Sequence, residues 1–201
     1  MPKVVPTKVY AANAAASLFE HYKENTLETE YVSVVGSGSI QIDYVKKFVV
    51  ESCPDKVIAR RDKININQML KKELPNSVLL NLSSKDQWLF QIKHLGIRIY
   101  FVELIIENSV RRIIKKILFM FRFSMFLGLS TGLFTVLLAA VENPDSIIII
   151  SGIGLKPGNH FYEAINDKGF PIKRARADQL MIKKFPKKIK ARLYTTDEYL
   201  S

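Results

Sequence analysis

The chain of 201 residues is 48% hydrophobic and 24% charged, which excludes intrinsic disorder and suffices for one domain with a buried core. Its formal net charge of +11 indicates an anionic partner, namely nucleic acid, a membrane surface or phosphorylated glycans, although a solvated basic surface without a partner explains the charge equally well. The single cysteine, Cys53, excludes an internal disulfide and a cysteine-based metal site, and the polar N-terminus carries no secretory signal, so we expect a cytoplasmic protein.

Helical and strand patterns alternate along the chain. Residues 11–25 are alanine-rich and predict a helix, within an N-terminal helical extension over residues 1–30. Runs rich in β-branched and apolar residues predict strands at residues 31–35, 57–60, 77–82 and 97–104. Helical spacing of apolar residues predicts helices at residues 42–52, 64–74 and 86–94.

An uncharged stretch at residues 123–141 has the length of a transmembrane helix. Small polar residues in its middle, and the strand-like run at residues 147–150, favour instead a buried helix that leads into a buried central strand. A membrane span is the alternative. A last short strand is predicted at residues 191–195.

This alternation predicts an α/β fold, in which a single, mostly parallel sheet is flanked by helices on both faces within one domain over residues 1–201. In such sheets, ligands bind beyond the carboxyl ends of the strands. The loops that follow the predicted strands are therefore the candidate functional segments.

The loop after the strand at residues 31–35 reads Gly36, Ser37, Gly38 and Ser39. Its backbone N–H groups and serine hydroxyls suit a phosphate or a ribose, which glycine lets approach the backbone closely. The pattern is neither G-x-G-x-x-G nor a Walker motif. A tight turn without a ligand is an equal alternative.

Two further segments carry polar residues at predicted element ends. Arg60 ends a predicted strand and Asp62 follows it; they suit a phosphate and a base or ribose edge, with a surface ion pair as the alternative. Ser130, Thr131 and Gly132 open the long apolar helix, where the two hydroxyls can cap the helix and its N-terminal N–H groups can meet an anion.

The loop after the predicted central strand carries Lys156, His160 and Tyr162. Four features come before this loop in the chain: the sequence S-T-G, an apolar helix, a hydrophobic strand and the sequence S-G-I. This order of features, with the loop, resembles the bacterial sialyltransferases of glycosyltransferase family 42. The segments VVGSGS, IARRD and ARADQLMIKKF are similar to other parts of that family, over about residues 31–194. The resemblance implies a Rossmann-like fold of the glycosyltransferase A variant. It also implies transfer of a keto-sugar acid, sialic acid or the related Kdo, from a CMP donor without a metal.

The resemblance assigns roles residue by residue. The donor-binding residues would be Gly36, Ser37, Gly38, Ser39, Arg60, Asp62, Ser130, Thr131, Gly132, Lys156 and Tyr162. Lys156 stands where the family has a second tyrosine, and its charge could neutralise the leaving phosphate. The family's base histidine has no counterpart at residues 173–176, so His160 or Asp178 would take the proton from the acceptor hydroxyl. A lone loop histidine is more often a surface residue.

Three other positions depart from the family's pattern. Asp62 stands where the family has asparagine, Gly154 where it has an aspartate after S-G-I, and Gly128 where it has an arginine before S-T-G. With the missing base histidine, these departures leave open a relative that has lost catalysis. No D-x-D motif and no zinc-type ligand set occurs in the sequence, so we expect no metal cofactor.

Two basic segments predict contact with an anionic membrane. Arg111, Arg112, Lys115 and Lys116 recur at helical spacing beside apolar residues, and residues 183–192 add six cations. Nucleic-acid binding is the weaker prediction, because no recognised module or aromatic stacking pattern accompanies the charge.

The leading hypothesis is therefore a CMP-sugar-dependent glycosyltransferase, peripheral to the inner membrane, that modifies a bacterial surface glycan or glycolipid. The alternative is a catalytically degenerate or non-enzymatic membrane-associated protein, including one with a single span.

Overall fold

The computed structural model describes residues 6–19, 29–60, 66–105, 109–122, 128–151 and 172–195. The chain divides into two compact units, Met1–Gln87 and Trp88–Ser201. Each unit is described by itself below, and the single domain expected over residues 1–201 stays a prediction.

Four parallel strands form the sheet of the first unit. They are β1 (Lys8–Ala12), β2 (Glu30–Gly36), β3 (Lys56–Arg60) and β4 (Val78–Leu82), and they lie side by side in that order. The central strands β2 and β3 are buried along nearly their whole length, as the continuous apolar runs of parallel strands require. The predicted α/β fold with a mostly parallel sheet is confirmed.

The segments between these strands pack on one face of the sheet. They contain a 3₁₀ helix (Asn13–Leu18), a second 3₁₀ helix (Ser39–Gln41) followed by α1 (Asp43–Glu51), and α2 (Ile66–Lys71). Right-handed connections that all step in the same direction put their helices on the same face. The core that they form with the sheet includes Phe19, Tyr31, Val35, Ile40, Val49, Val57, Ile66 and Leu70.

Helices dominate the second unit, whose first helix, α3 (Ser84–Leu95), contains the boundary between the units. The remaining elements are α4 (Arg98–Ile105), α5 (Val110–Arg122), α6 (Thr131–Glu142), β5 (Ile148–Ile150), α7 (Ile172–Lys183), α8 (Lys187–Lys190) and β6 (Leu193–Thr195). Strands β5 and β6 form a parallel pair. In the described residues, β5 is therefore part of a two-stranded sheet, whereas the sequence predicted a central strand of one larger sheet.

Two predicted elements differ from the structure. The helix predicted from residue 11 begins only at Asn13, as a 3₁₀ helix, because residues 11 and 12 belong to strand β1, whose pairing with β2 outweighs the intrinsic preference of alanine. Residues 98–105 form helix α4, where β-branched and aromatic residues had predicted a strand. Its Ile99, Tyr100 and Val102 are buried, so packing again decides against propensity.

The uncharged stretch contains the buried helix α6. Its residues 133–140 are all buried, and a helix that is apolar on every side belongs inside a protein core. Within the described part of the chain, no helix is long and apolar enough to cross a membrane. Residues 123–127, where the stretch begins, lie outside that part.

Candidate functional site

The carboxyl ends of the parallel strands meet at one edge of the first unit's sheet, where α/β proteins bind ligands. The register places Gly36 beside Arg60, and Arg60 beside Leu82, so the loops after three strands begin side by side. Two of the predicted donor-binding segments are therefore neighbours at this edge. The predicted residue Asp62 lies outside the described residues.

Hydrogen bonds from the neighbouring strand ends hold the turn at residues 36–39. The N–H of Gly36 donates to Oδ1 of Asn13 at 3.1 Å, and the N–H of Ser37 donates to the carbonyl oxygen of Arg60 at 3.1 Å. Asn13 has a φ of 52°, in the left-handed region that asparagine tolerates better than most residues. Two of the turn's four backbone N–H groups therefore form hydrogen bonds within the protein. No described residue of β1 or β3 bonds the N–H groups of the other two, Gly38 and Ser39.

Gly38 leaves open space beside the backbone of this turn. Its φ of −78° and ψ of −34° are ordinary helical values, which any residue adopts. A Cβ atom added to it would meet no atom within 4 Å. Neither backbone conformation nor packing requires a glycine here, so its effect is to leave the backbone accessible to a ligand.

Arg60 is buried instead of lining an open surface. Its side chain is 0% exposed, on the face of β3 opposite Val57 and Ala59, and its Nε donates to Oε1 of Gln87 at 3.1 Å. A buried guanidinium requires such partners, because an uncompensated buried charge costs several kcal/mol. A role in binding the donor stays a prediction for this residue.

Ser130 caps helix α6, as the sequence predicted. Its Oγ accepts a hydrogen bond from the N–H of Leu133 at 3.2 Å, and its backbone is extended with ψ of 171°. Thr131 is the first residue of the helix, and its carbonyl oxygen accepts from Oγ1 of Thr135 at 2.8 Å. Gly132 follows in the first turn, so the cap is formed by Ser130.

A buried carboxylate lies at the start of the same helix. Asp178, in α7, is 2% exposed, and its Oδ1 accepts the N–H of Ser130 at 3.2 Å. The structure thereby brings together two predicted site residues that are 48 positions apart. A carboxylate at a helix N-terminus is stabilised by the helix dipole, typically by about 0.3–1 kcal/mol.

The loop before Ser130 has room for no side chain at position 128. Gly128 has a φ of 113°, and a Cβ there would lie 2.5 Å from Oε1 of Gln91 and 3.2 Å from Cε1 of Tyr100. The same Oε1 accepts the N–H of Leu129 at 2.9 Å, and Gln91 is fully buried. The arginine expected from the family pattern is therefore sterically excluded at this position.

Gln91 and Gln87 were not predicted as important residues. They lie one helical turn apart in α3, and each is buried with a polar partner: Arg60 for Gln87 and Leu129 for Gln91. Their i, i+4 spacing within an apolar pattern is a weak signal, because glutamines on the exposed face of a helix show it equally.

His94 is the only histidine among the described residues. Burial, and then the neighbouring charge of Lys93, lower its pKa below the usual value of 6.5. The imidazole, whose ring centroid lies 4.7 Å from that of Phe90, is therefore mainly neutral at pH 7 and can accept a proton.

Three further predicted site residues, Lys156, His160 and Tyr162, lie outside the described residues. In the described ranges, no group of three or more His, Cys, Asp and Glu side chains could hold a metal ion. Comparison of the chain with protein-family models, curated proteins and solved structures finds no match.

Proposed function

We propose that this chain transfers a keto-sugar acid, sialic acid or Kdo, from a CMP donor to a bacterial surface glycan or lipooligosaccharide. The observation that supports this function best is the hydrogen bond from Ser130 to Asp178. The sequence resemblance assigns both residues to one site, although they come from distant parts of the chain. Their contact is what that assignment requires.

Asp178 is the proposed base. Transfer needs a group that removes the proton from the acceptor hydroxyl, and a carboxylate within hydrogen-bond reach can do so. The hydrogen bond from the N–H of Ser130 to Oδ1 restrains the orientation of the carboxylate at the start of α6.

The turn at residues 36–39 is the proposed contact for the nucleotide. It stands at the carboxyl edge of parallel strands, with open space beside Gly38. A nucleotide phosphate there would accept hydrogen bonds from the N–H groups of Gly38 and Ser39, which no described residue of β1 or β3 bonds.

The first test is nucleotide binding. CMP should raise the Tm of the purified protein, and the shifts produced by UMP and AMP are measured for comparison. A ligand at about 100 times its Kd adds roughly 2.7 kcal/mol of stability. Gly38→Ala should not lower the Tm of the free protein, because the added methyl meets no protein atom within 4 Å, and it should weaken the effect of CMP on Tm. The absence of any shift at millimolar CMP would refute the proposal.

The second test is turnover. Release of CMP from CMP-sialic acid and from CMP-Kdo is measured by chromatography, with and without lipooligosaccharide. Asp178→Asn should retain CMP binding and lose about 10²–10⁴-fold in rate, the usual contribution of a general base. Asp145→Asn, which changes an exposed carboxylate, is the matched control. Equal rates for the two variants would exclude Asp178 as the base.

We propose a peripheral position at the inner membrane for this activity, since the glycolipid acceptor lies there. A second function, binding without catalysis, is favoured by one observation: Gly128 cannot be replaced by the arginine that the family pattern contains. CMP binding without turnover of either donor would support this second function and exclude the first.

A further inference from the structure

Helix α5 (Val110–Arg122) exposes large apolar residues over its first nine residues, Val110 to Leu118. Val110 is 72% exposed, Ile114 54%, Ile117 39% and Leu118 61%. Isolated exposed apolar residues are common on proteins, but a contiguous row of them marks an interaction surface. We call these four residues the apolar row of α5.

The cations of α5 lie beside this row. At about 100° per residue, the apolar row spans an arc of about 100° around the helix, and Arg111, Lys115 and Arg112 follow between about 100° and 200° from Val110. All three cations are exposed. The helix therefore presents an apolar side and a basic side to its surroundings at the same time.

Charge is distributed unevenly along the chain. Residues 88–201 contain 18 of the 30 Lys and Arg but only 9 of the 19 Asp and Glu, which gives a formal net charge of +9 against +2 for residues 1–87. The sequence of α5 contains five cations and no acid. The unit that carries the apolar row is thus the unit that an anionic surface attracts.

We propose that α5 lies in the plane of an anionic bilayer, with the apolar row in the boundary between headgroups and acyl chains and the cations among the lipid phosphates. An in-plane helix of this kind needs an apolar side, a cationic side and low overall hydropathy, and α5 has all three in its sequence and exposure. Nucleic acid would engage the cations but would leave the apolar row in water. This inference extends the proposed peripheral position by naming the helix and the lipid class, and it is independent of the CMP chemistry.

The test is co-sedimentation of the full chain with vesicles of phosphatidylcholine that contain about 30 mol% phosphatidylglycerol, against vesicles of phosphatidylcholine alone. We expect binding to the anionic vesicles only, weakening as salt is raised, because ions screen the attraction. Ile114→Gln with Leu118→Gln should reduce the partition coefficient more than about tenfold, since both side chains leave the bilayer boundary. Leu89→Gln, which changes an exposed leucine of α3, is the matched control.

The cations are tested in the same way. Arg111→Gln with Lys115→Gln should weaken binding about fivefold per cation, hence about 25-fold for the pair. Lys71→Gln with Lys72→Gln removes two exposed charges from the first unit and should change little. The Tm of each variant is measured without vesicles; because all the replaced side chains are exposed, we expect it to stay within about 2 °C of the parent.

Three results would overturn the proposal. The first is equal binding to neutral and anionic vesicles, and the second is undiminished binding of the variant with both Ile114→Gln and Leu118→Gln. The third is a combined result: the parent protein does not bind vesicles, it forms a dimer in ultracentrifugation, and the double variant abolishes that dimer. The apolar row would then be an interface between two copies of the chain. CMP-induced Tm shifts are measured on the same variants and should be unchanged, so failure of this inference is distinguishable from failure of the proposed transferase.

Discussion

Replacing Gly128 with alanine should strongly destabilise the loop that leads into α6. At a φ of 113°, an L-residue is strained, and such conformations cost about 1–3 kcal/mol. The new Cβ would also lie 2.5 Å from Oε1 of Gln91, so that side chain must move. Oε1 of Gln91 accepts a hydrogen bond from the N–H of Leu129 in a buried position. Moving Gln91 breaks this hydrogen bond, at a further cost of about 1–3 kcal/mol.

We therefore expect Gly128→Ala to lower the free energy of unfolding by about 2–6 kcal/mol, a large part of the total stability of an ordinary domain. The measurement is urea unfolding followed by circular dichroism. Gly38→Ala is the matched control, since its helical φ and open surroundings predict a change between zero and a gain of about 1 kcal/mol.

A double-mutant cycle isolates the contact with Gln91. In a background of Gln91→Ala the contact with Gln91 is gone, and the backbone strain and the 3.2 Å approach to Cε1 of Tyr100 remain, so Gly128→Ala should cost at least about 1 kcal/mol less than in the parent. A loss below about 1 kcal/mol in the parent, or an identical loss in both backgrounds, would contradict this account of the loop.

Substitutions at three other positions test the second unit. Arg192→Ala removes three hydrogen bonds: from Nη1 to the carbonyl oxygens of Asn143 and Ser146, at 2.7 and 2.8 Å, and from Nη2 to that of Ala140, at 2.9 Å. Thermal unfolding should show that the variant loses about 2–3 kcal/mol of stability, and that Arg192→Lys loses less. Ser130→Ala should lower the free energy of unfolding in urea by about 1 kcal/mol, because the cap of α6 is lost. Threonine and aspartate can both cap a helix, but Ser130→Asp should be less stable than Ser130→Thr, because Asp178 repels a second carboxylate. His94 has a lowered pKa in the folded state, so its protonation favours unfolding. Its contribution to stability is present above pH 6.5 and declines as the pH falls below that value; His94→Gln should flatten this part of the profile, and an unchanged profile would exclude the histidine as its source.

Local patterns in the sequence predict much of the fold. Strands β2, β3 and β4 are short apolar runs between turn residues, and the helices that follow β2 and β3 repeat apolar residues at helical spacing, as in Val45 and Val49. The cap at Ser130 is also local, because a serine before an apolar run is a typical helix start.

The two elements assigned wrongly show where local patterns fail. Strand β1 contains good helix formers, but its residues Lys8–Ala12 pair one by one with β2 and gain a full ladder of hydrogen bonds. Helix α4 contains strand formers, but the ring of Tyr100 packs against that of Trp88, at 5.7 Å between ring centroids, and lies beside Gly128. In both cases, contacts with distant residues outweigh propensities of about 1 kcal/mol or less per residue.

The sequence by itself determined the period of most elements, the cap of α6, the turn at residues 36–39 and the basic, apolar character of α5, because each depends on residues within a few positions of one another. Only the tertiary structure decided the strand order, the burial of Arg60 and the contacts of Ser130 with Asp178 and of Leu129 with Gln91. These contacts join residues 38 and 48 positions apart, and closing such loops leaves no periodic signal in the sequence.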